Sequence, residues 1–409
     1  MKTKAVIENG FKETEIGLIP EDWKVKGFEE CIDKERISRD IKIPQGKYKK
    51  VGRYPIVDQG ASFVAGYTDD KSKLYSGCLP VIVFGDHTRI FKFVDFSFSL
   101  GADGTKLIQP KDFLNPKYFY YYLCSLIIES KGYNRHYKYL KEKFIAFPEK
   151  PEQQKIAFVL SKIQQAIEQQ DRIIETTREL KKSLMNKLFT EGLHGEEQKE
   201  TEIGLIPKRW DVIEVDNLGE IITGTTPPTN NKKYYTGGGF QFISPVDLGD
   251  TKYVYKTKKE ISLEGLRVSR VLPKDAVLIV CIGSTTGKVG LTFKDKSTTN
   301  QQINTVICKD EFNPHFIYYL LNFECNYIRS LSTPSPVPIL SKGKFQRAKI
   351  PIVKNKQEQD KIAEILSAID EKIEKAEYRK QTLQALFRTM LNQLIMGKVR
   401  VKDFDFEVN

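Results

Sequence analysis

The chain has 409 residues, 40% of them apolar, which is enough to bury more than one core and fits two or three domains. A formal charge of +12 and a pI of 9.1 favour a polyanionic partner, since contacts to DNA or RNA phosphates release counterions. No run approaches the ~18 apolar residues of a membrane span, and the opening MKTKAVIENG lacks an apolar signal core, so a cytoplasmic protein with no membrane partner is expected.

Six scattered cysteines include no CxxC pair, and the four histidines, His87, His136, His194 and His315, are equally dispersed. Reduced thiols and no metal site are the expectation.

In chain order, the first recognisable segment is TEIGLIPEDWKV at Thr14 to Val25, which returns as TEIGLIPKRWDV at Thr201 to Val212 with the only other tryptophan. Seven identical residues and a shared Trp mark an internal repeat. The strand-like run LPVIVFG, Leu79 to Gly85, is matched by VLIVCIG, Val277 to Gly283, each leading through a polar turn to another strand-like run. FLNPKYFYYYL at Phe113 to Leu123 is matched by FNPHFIYYLL at Phe312 to Leu321, where Asn-Pro opens an aromatic-rich helix. A variable basic stretch follows, 133–143 in the first unit and 328–347 in the second.

Each unit ends in a helix of about 41 residues, Pro151 to Glu191 and Lys356 to Met396. Ile362, Leu366, Ile369, Ile373, Ala376, Leu383, Phe387, Met390 and Leu394 step by fours and threes, a heptad seam interrupted by Lys380. Pro151 suits the first helical position, Asn355 a capping position with Glu358 three residues on, and Gly192 and Gly397 the left-handed stops. One apolar stripe on each of two equal helices predicts pairing within the chain, antiparallel if a two-fold axis relates the repeats. The expected fold is therefore α+β with an internal pseudo-two-fold repeat. Its parts are a unit at 1–150, a helix at 151–191, a linker at 192–200, a second unit at 201–355, a helix at 356–397 and a tail at 398–409.

Enzymatic motifs fail on spacing. GSTTGKVG at Gly283 to Gly290 is one residue short of a phosphate loop, and Val289 replaces the hydroxyl residue that would hold magnesium. Asn115-Pro-Lys-Tyr118 and Asn313-Pro-His-Phe316 lack the second proline of a base-flipping methyltransferase loop, and no glycine-rich cofactor loop precedes them. The Asp86-His87 pair has no counterpart in the second unit. No catalytic residue, metal ligand or cofactor of its own is assigned to this chain.

The polar and basic loops carry side chains able to bond base edges or phosphates. In the first unit these are Lys47, Lys49, Lys50, Arg53, Gln59, Asp86, His87, Thr88, Arg89, Lys106, Arg135, His136 and Lys138. In the second they are Thr225, Thr226, Asn230, Asn231, Lys232, Lys233, Tyr234, Ser284, Thr285, Thr286, Lys288, Gln301, Lys342, Lys344 and Arg347. The tyrosines Tyr120, Tyr121, Tyr122, Tyr318 and Tyr319 have rings that can stack on bases, but their helical context points to a helix core.

The collinear order of TEIGLIP with its Trp, IGSTTGKVGL, the Asn-Pro helices, and the EQQKIAFVLSKI and EQDKIAEILSAID helix openings resembles the DNA-specificity subunits of type I restriction-modification enzymes over essentially the whole chain. The resemblance implies two mixed α/β target-recognition domains separated by an antiparallel coiled coil. It further implies a non-catalytic subunit reading a bipartite duplex DNA target and docking two methyltransferase subunits, with nuclease/translocase subunits joining the complex. S-adenosylmethionine is then expected on the methyltransferase. Because the loop interiors differ, the two half-sites are expected to differ. Two other readings stay open on the residues alone: a stand-alone DNA methyltransferase or nuclease, and an RNA-binding or structural coiled-coil scaffold.

Overall fold

The two TEIGLIP segments form matching β-hairpins, Phe11–Thr14 with Gly17–Pro20 and Gln198–Thr201 with Gly204–Pro207. Gly17 and Gly204 take positive φ of 99° and 106°, and the preceding threonine hydroxyl, of Thr14 or Thr201, donates to the glycine carbonyl at 2.8 or 2.7 Å. A left-handed residue is needed to close each turn, and glycine takes it without a Cβ penalty. The computed structural model describes residues 10–33, 41–101, 104–130, 132, 134–249 and 251–405. Residues 1–9, Tyr133 and the last four residues of the tail lie outside that set.

Two compact units result, Met1–Gln169 with Lys380–Asn409 and Gln170–Arg379. The units repeat one topology. In the first, an antiparallel sheet runs in the order Ile32–Asp33, Thr105–Pro110, Val81–Gly85, Phe91–Val94. In the second, the order Gly219–Thr223, Ile303–Cys308, Val277–Val280, Val289–Thr292 is the same, and an added edge strand, Tyr253–Val254, runs parallel to the last. A smaller three-stranded sheet accompanies each: Gly66–Thr68, Tyr54–Val57, Ser99–Leu100 and Lys259–Ile261, Phe240–Ile243, Thr298–Thr299. In both, the last pair is the parallel one.

The central strands are buried along their length, which is why LPVIVFG and VLIVCIG read as continuous apolar runs. Behind the large sheet of each unit lies the Asn-Pro helix, Pro116–Ser125 or Pro314–Phe323. Asn115 and Asn313 cap these helices with the side-chain oxygen, each accepting from two backbone N–H groups. The N-P-x-aromatic segments are thus helix starts. Tyr118, Tyr121, Tyr122, Tyr318 and Tyr319 face the core and Tyr120 is half-buried, as their helical context predicts.

The long helices span Lys150–Glu191 and Lys356–Ile395, 42 and 40 residues, about 60 Å each. The first begins one residue before Pro151, because the Glu149 carbonyl accepts from Glu152 and Gln153 N–H. The second is capped as expected, Asn355 Oδ1 accepting from Glu358 N at 3.2 Å. Gly192 and Gly397 have positive φ. The proposed linker is partly structured, since Gln198–Thr201 is the first hairpin strand of the second unit.

Each unit holds the beginning of one long helix against the end of the other. In the first, Ile156, Ala157 and Leu160 share a core with Leu394 and Ile395; in the second, Ile362, Ala363 and Leu366 share one with Leu188 and Phe189. The pairing within each unit is therefore antiparallel. Trp23 and Trp210, both fully buried, complete these cores. Each indole removes on the order of 200 Å² from water, worth up to about 5 kcal/mol. In the second unit Lys181 occupies a seam position and bonds Asp370 at 2.6 Å, with its ammonium 5.4 Å from the Tyr319 ring.

Glutamine fastens each Asn-Pro helix to its long helix. Gln153 accepts from Asn115 N–H at 2.7 Å and donates to the carbonyls of Phe113 and Pro148. Gln359 accepts from Asn313 N–H at 2.8 Å and donates to Val353 and Glu311. This explains the glutamine that recurs at both helix openings.

Candidate nucleic-acid interface

The two central strands of each large sheet are joined by a turn, and around that turn the polar loops gather. In the first unit the turn comprises five residues, 86–90; in the second, eight, 281–288. GSTTGKVG is thus a turn between paired antiparallel strands, not a phosphate loop. Strand register refines the repeat. Gly85 stands opposite Thr105 at the start of its neighbour strand, whereas the matching partner of Ile303 is Val280, so Gly283 lies three residues beyond the strand end.

In the first unit Asp86 is almost fully buried, its carboxylate accepting from Tyr137 N–H at 2.7 Å and its carbonyl from His136 N–H at 2.8 Å. His136 is also buried, with Nδ1 3.0 Å from the same carbonyl. These two candidates are positioning groups: backbone bonds and burial keep them from meeting a duplex. They hold the segment carrying exposed Arg135 and Lys138 against the turn.

A second loop reaches the same place. Gln59 accepts from His87 N–H at 3.3 Å through its side chain and from the Thr88 hydroxyl at 2.6 Å through its carbonyl. Gly104, with φ of 61°, takes a left-handed conformation that favours glycine, and a Cβ there would crowd the Gln59 amide. Arg89, with φ of 62°, donates to the Ile128 carbonyl at 2.9 Å. Gln59, His87, Thr88, Arg89, Arg135 and Lys138 are therefore brought together, with half-buried Lys106 packed over the Tyr137 ring.

Beneath them is a residue that sequence reasoning missed. Lys92 is 3% exposed and donates to the carbonyls of Asp58 and Ser62 at 2.8 and 2.6 Å, with the Asp58 carboxylate 3.8 Å away. Burial pushes its ammonium pKa down, opposed by Asp58. The alternation of Phe91-Lys92-Phe93-Val94 reads as a solvent-facing lysine, and nothing in it reveals that residues 58–62 cover that face.

Lys47, Lys49, Lys50 and Arg53 form a separate exposed basic patch at the edge of the small sheet. Lys49 pairs with Asp69 at 2.8 Å and Arg53 N–H bonds the same carboxylate, which holds Asp69 below the usual carboxylate range.

In the second unit Ser284 and Thr285 are exposed on the turn and Lys288 is half-buried, but Thr286 is buried, its hydroxyl donating to the Gly283 carbonyl at 2.7 Å. It fixes the turn and does not face outward. Thr226 bonds Gln301, and the Thr225 hydroxyl accepts from Arg270 N–H at 3.3 Å while Arg270 donates to the Thr223 carbonyl at 2.6 Å. Asn300 bonds Gln302, which donates to the Ile282 carbonyl at 3.4 Å. Thr225, Thr226, Gln301, Ser284 and Thr285 thus share one polar rim, to which the structure adds Arg270, Asn300 and Gln302. Arg270 is 45 residues from Thr225, with no local signal to join them.

Asn231 caps the short helical turn of Lys232, Lys233 and Tyr234, accepting from Lys233 N–H at 3.2 Å. Asn230, Lys232 and Lys233 are exposed and Tyr234 half-buried there. Lys342, Lys344 and Arg347 are exposed on and just after the helix Lys342–Gln346, Lys344 donating to the Leu331 carbonyl at 3.4 Å.

Burial pushes the Cys31 and Cys281 thiols up to about 12, far from a reactive thiolate. Among the described residues, no group of three His, Cys, Asp or Glu is placed to hold a metal, and no helix is long and apolar enough to cross a membrane. What the clusters offer is donors and acceptors on a rigid sheet corner, an arrangement that reads a polar surface.

Comparison with known proteins agrees. The model of the type I restriction modification DNA specificity domain matches residues 20–177 and again 207–385. The type I restriction enzyme MjaIX specificity subunit of Methanocaldococcus jannaschii is 31% identical over 52% of this chain and 50% of its own. The EcoR124I/EcoR124II specificity subunit of Escherichia coli is 28% identical over 77% and 79%. The crystal structure of a type I restriction-modification S subunit from M. genitalium shares the fold, with a TM-score of 0.64 at 18% identity, covering 96% of this chain and 99% of that one.

Proposed function

Since the chain belongs to the type I restriction modification DNA specificity family, we propose that it is the non-catalytic subunit that reads an asymmetric bipartite duplex target, one half-site per unit. The observation that carries this reading is the repetition of one frame around two unlike polar clusters. The same sheet corner presents Gln59, His87, Thr88, Arg89 and Arg135 in one unit and Thr225, Thr226, Ser284, Thr285 and Gln301 in the other. A repeated scaffold with unlike contact groups suits two different sequences at a fixed separation.

The exposed lysines and arginines supply phosphate contacts, which set affinity and salt dependence. The exposed hydroxyls and amides supply base-edge contacts, which set sequence. The long helices, each continuous from one unit into the other, determine the length of unread DNA between the half-sites. Their outward side chains, including Gln164, Gln165, Gln169 and Arg172, are available to two methyltransferase subunits. Those subunits carry the S-adenosylmethionine and the chemistry; nuclease/translocase subunits join the same complex.

Replacing residues 14–150 by the first unit of another family member, then selecting duplexes with the methyltransferase present, tests the reading. One half-site changes and the other stays. A change in both halves contradicts independent reading.

A further inference from the structure

We propose that each unit also reads the methyl group of a thymine, using one aliphatic side chain held beside the central turn: Ile127 in the first unit and Val337 in the second. This rests on the units being half-site readers. Ile127 is 82% exposed and Val337 55%. A single exposed aliphatic residue is ordinary. Here, however, the same topological place is occupied twice by a branched apolar side chain, although the surrounding sequences, Leu126 to Ser130 and Leu331 to Leu340, have little in common.

In both units the loop that leaves the helical layer folds round to the central turn and is bonded to it. Arg89 of the first turn donates to the carbonyl of Ile128, the neighbour of Ile127. Gly283 of the second turn donates its N–H at 3.0 Å to the carbonyl of Pro338, the neighbour of Val337, and Leu340 N–H donates to the Cys281 carbonyl at 2.8 Å. The second loop is further closed on itself, Thr333 N–H donating to the Ile339 carbonyl and Ile339 N–H to the Thr333 hydroxyl at 3.1 Å. Pro334, Pro336 and Pro338 restrict what remains. The backbone that carries each aliphatic group is thus tied to the turn, beside side chains that seek hydrogen bonds.

The major-groove edge of a base pair presents one apolar feature, the 5-methyl group of thymine. An aliphatic side chain carried beside a polar reading rim matches that feature and no other base-edge group. The pairing also discriminates, because a cytosine amine or a guanine carbonyl placed against it loses a hydrogen bond to water.

The test uses the complex with its methyltransferase and the selected duplex. Each thymine is replaced singly by deoxyuridine, which removes only the methyl. One position in each half-site then binds about fourfold more weakly, the value of one buried methyl. Ile127→Ala abolishes that sensitivity in the first half-site alone and Val337→Ala in the second alone. A half-site in which every deoxyuridine is tolerated, or whose sensitivity survives its alanine variant, overturns the assignment for that unit. A variant that weakens thymine and deoxyuridine duplexes equally, or weakens methyltransferase assembly but not DNA binding, also overturns it. Absence of any bipartite preference in the unaltered complex contradicts the half-site reading instead, so the two failures are distinct.

Discussion

Arg400 and Glu152, 248 positions apart, meet through two hydrogen bonds of 2.9 and 2.8 Å. The same guanidinium bonds Asp22 at 2.8 and 2.6 Å and lies 5.9 Å from the Trp23 ring. The segment after the second long helix is thereby locked onto the first turn of the first. The other unit has the same acid, Glu358, but the charges around it are exchanged: Arg209 precedes Trp210, and Glu196 follows the first long helix and pairs with that arginine. One geometric task, joining the end of one helix to the start of the other, is met by opposite charge assignments.

Arg400→Gln leaves the buried Glu152 carboxylate without its cation and should cost the first unit about 2–4 kcal/mol in urea unfolding. Arg209→Gln should cost much less, because Arg209 is exposed and its contact to Glu358 is 3.5 Å.

Acid titration separates the Asp22 contribution. The Arg400 hydrogen bond holds the Asp22 carboxyl below its usual range. A carboxylate with a depressed folded pKa contributes stability above its unfolded value and loses it as pH falls through the folded one. The stability gap between the unaltered protein and Arg400→Gln should therefore be full near neutrality and shrink below the ordinary aspartate range; a gap that stays constant into strong acid contradicts the assignment.

Gln153→Ala and Gln359→Ala each orphan an amide N–H and two carbonyls at an Asn-Pro helix. Each should destabilise its unit by about 1–3 kcal/mol. The two effects should add in the double variant, because the sites share no partner.

Lys92→Met removes the bonds that hold residues 58–62 against the central turn. Binding should lose selectivity for the first half-site while that for the second persists, read by base-by-base competition. Equal loss in both halves contradicts a local positioning role.

Much of this was legible in the sequence because it is written twice. The hairpins, the Asn-Pro helices, the capping by Asn355 and the seam from Ile362 to Leu394 all rest on local rules that a repeat makes visible. The site was less legible. Asp86, His136 and Thr286 have the chemistry of ligand-binding groups but are consumed by backbone partners, and burial of one side chain depends on which distant loop covers it. Lys92, Arg270 and Gln302 were missed for the same reason. Their partners lie 30 to 47 residues away for Lys92 and Arg270, and 20 for Gln302. The extra length of the second turn was also hidden, because Gly85 and Gly283 align as letters while the strand register places Gly85 with Val280.

The helices offer a prediction in units of length. Inserting one heptad in phase into both helices, near Gln170 and Lys380, preserves the seam and adds about 10 Å. The unread gap should grow by about three base pairs, with both half-sites unchanged. An altered half-site at constant gap contradicts the spacer role.

The most direct measurement is selection from random duplex DNA by this chain with its methyltransferase subunits. Two dissimilar sequence blocks separated by a gap of fixed length and no sequence preference should be enriched. Enrichment of a single contiguous block, of a palindrome, or of nothing over random DNA would contradict bipartite reading.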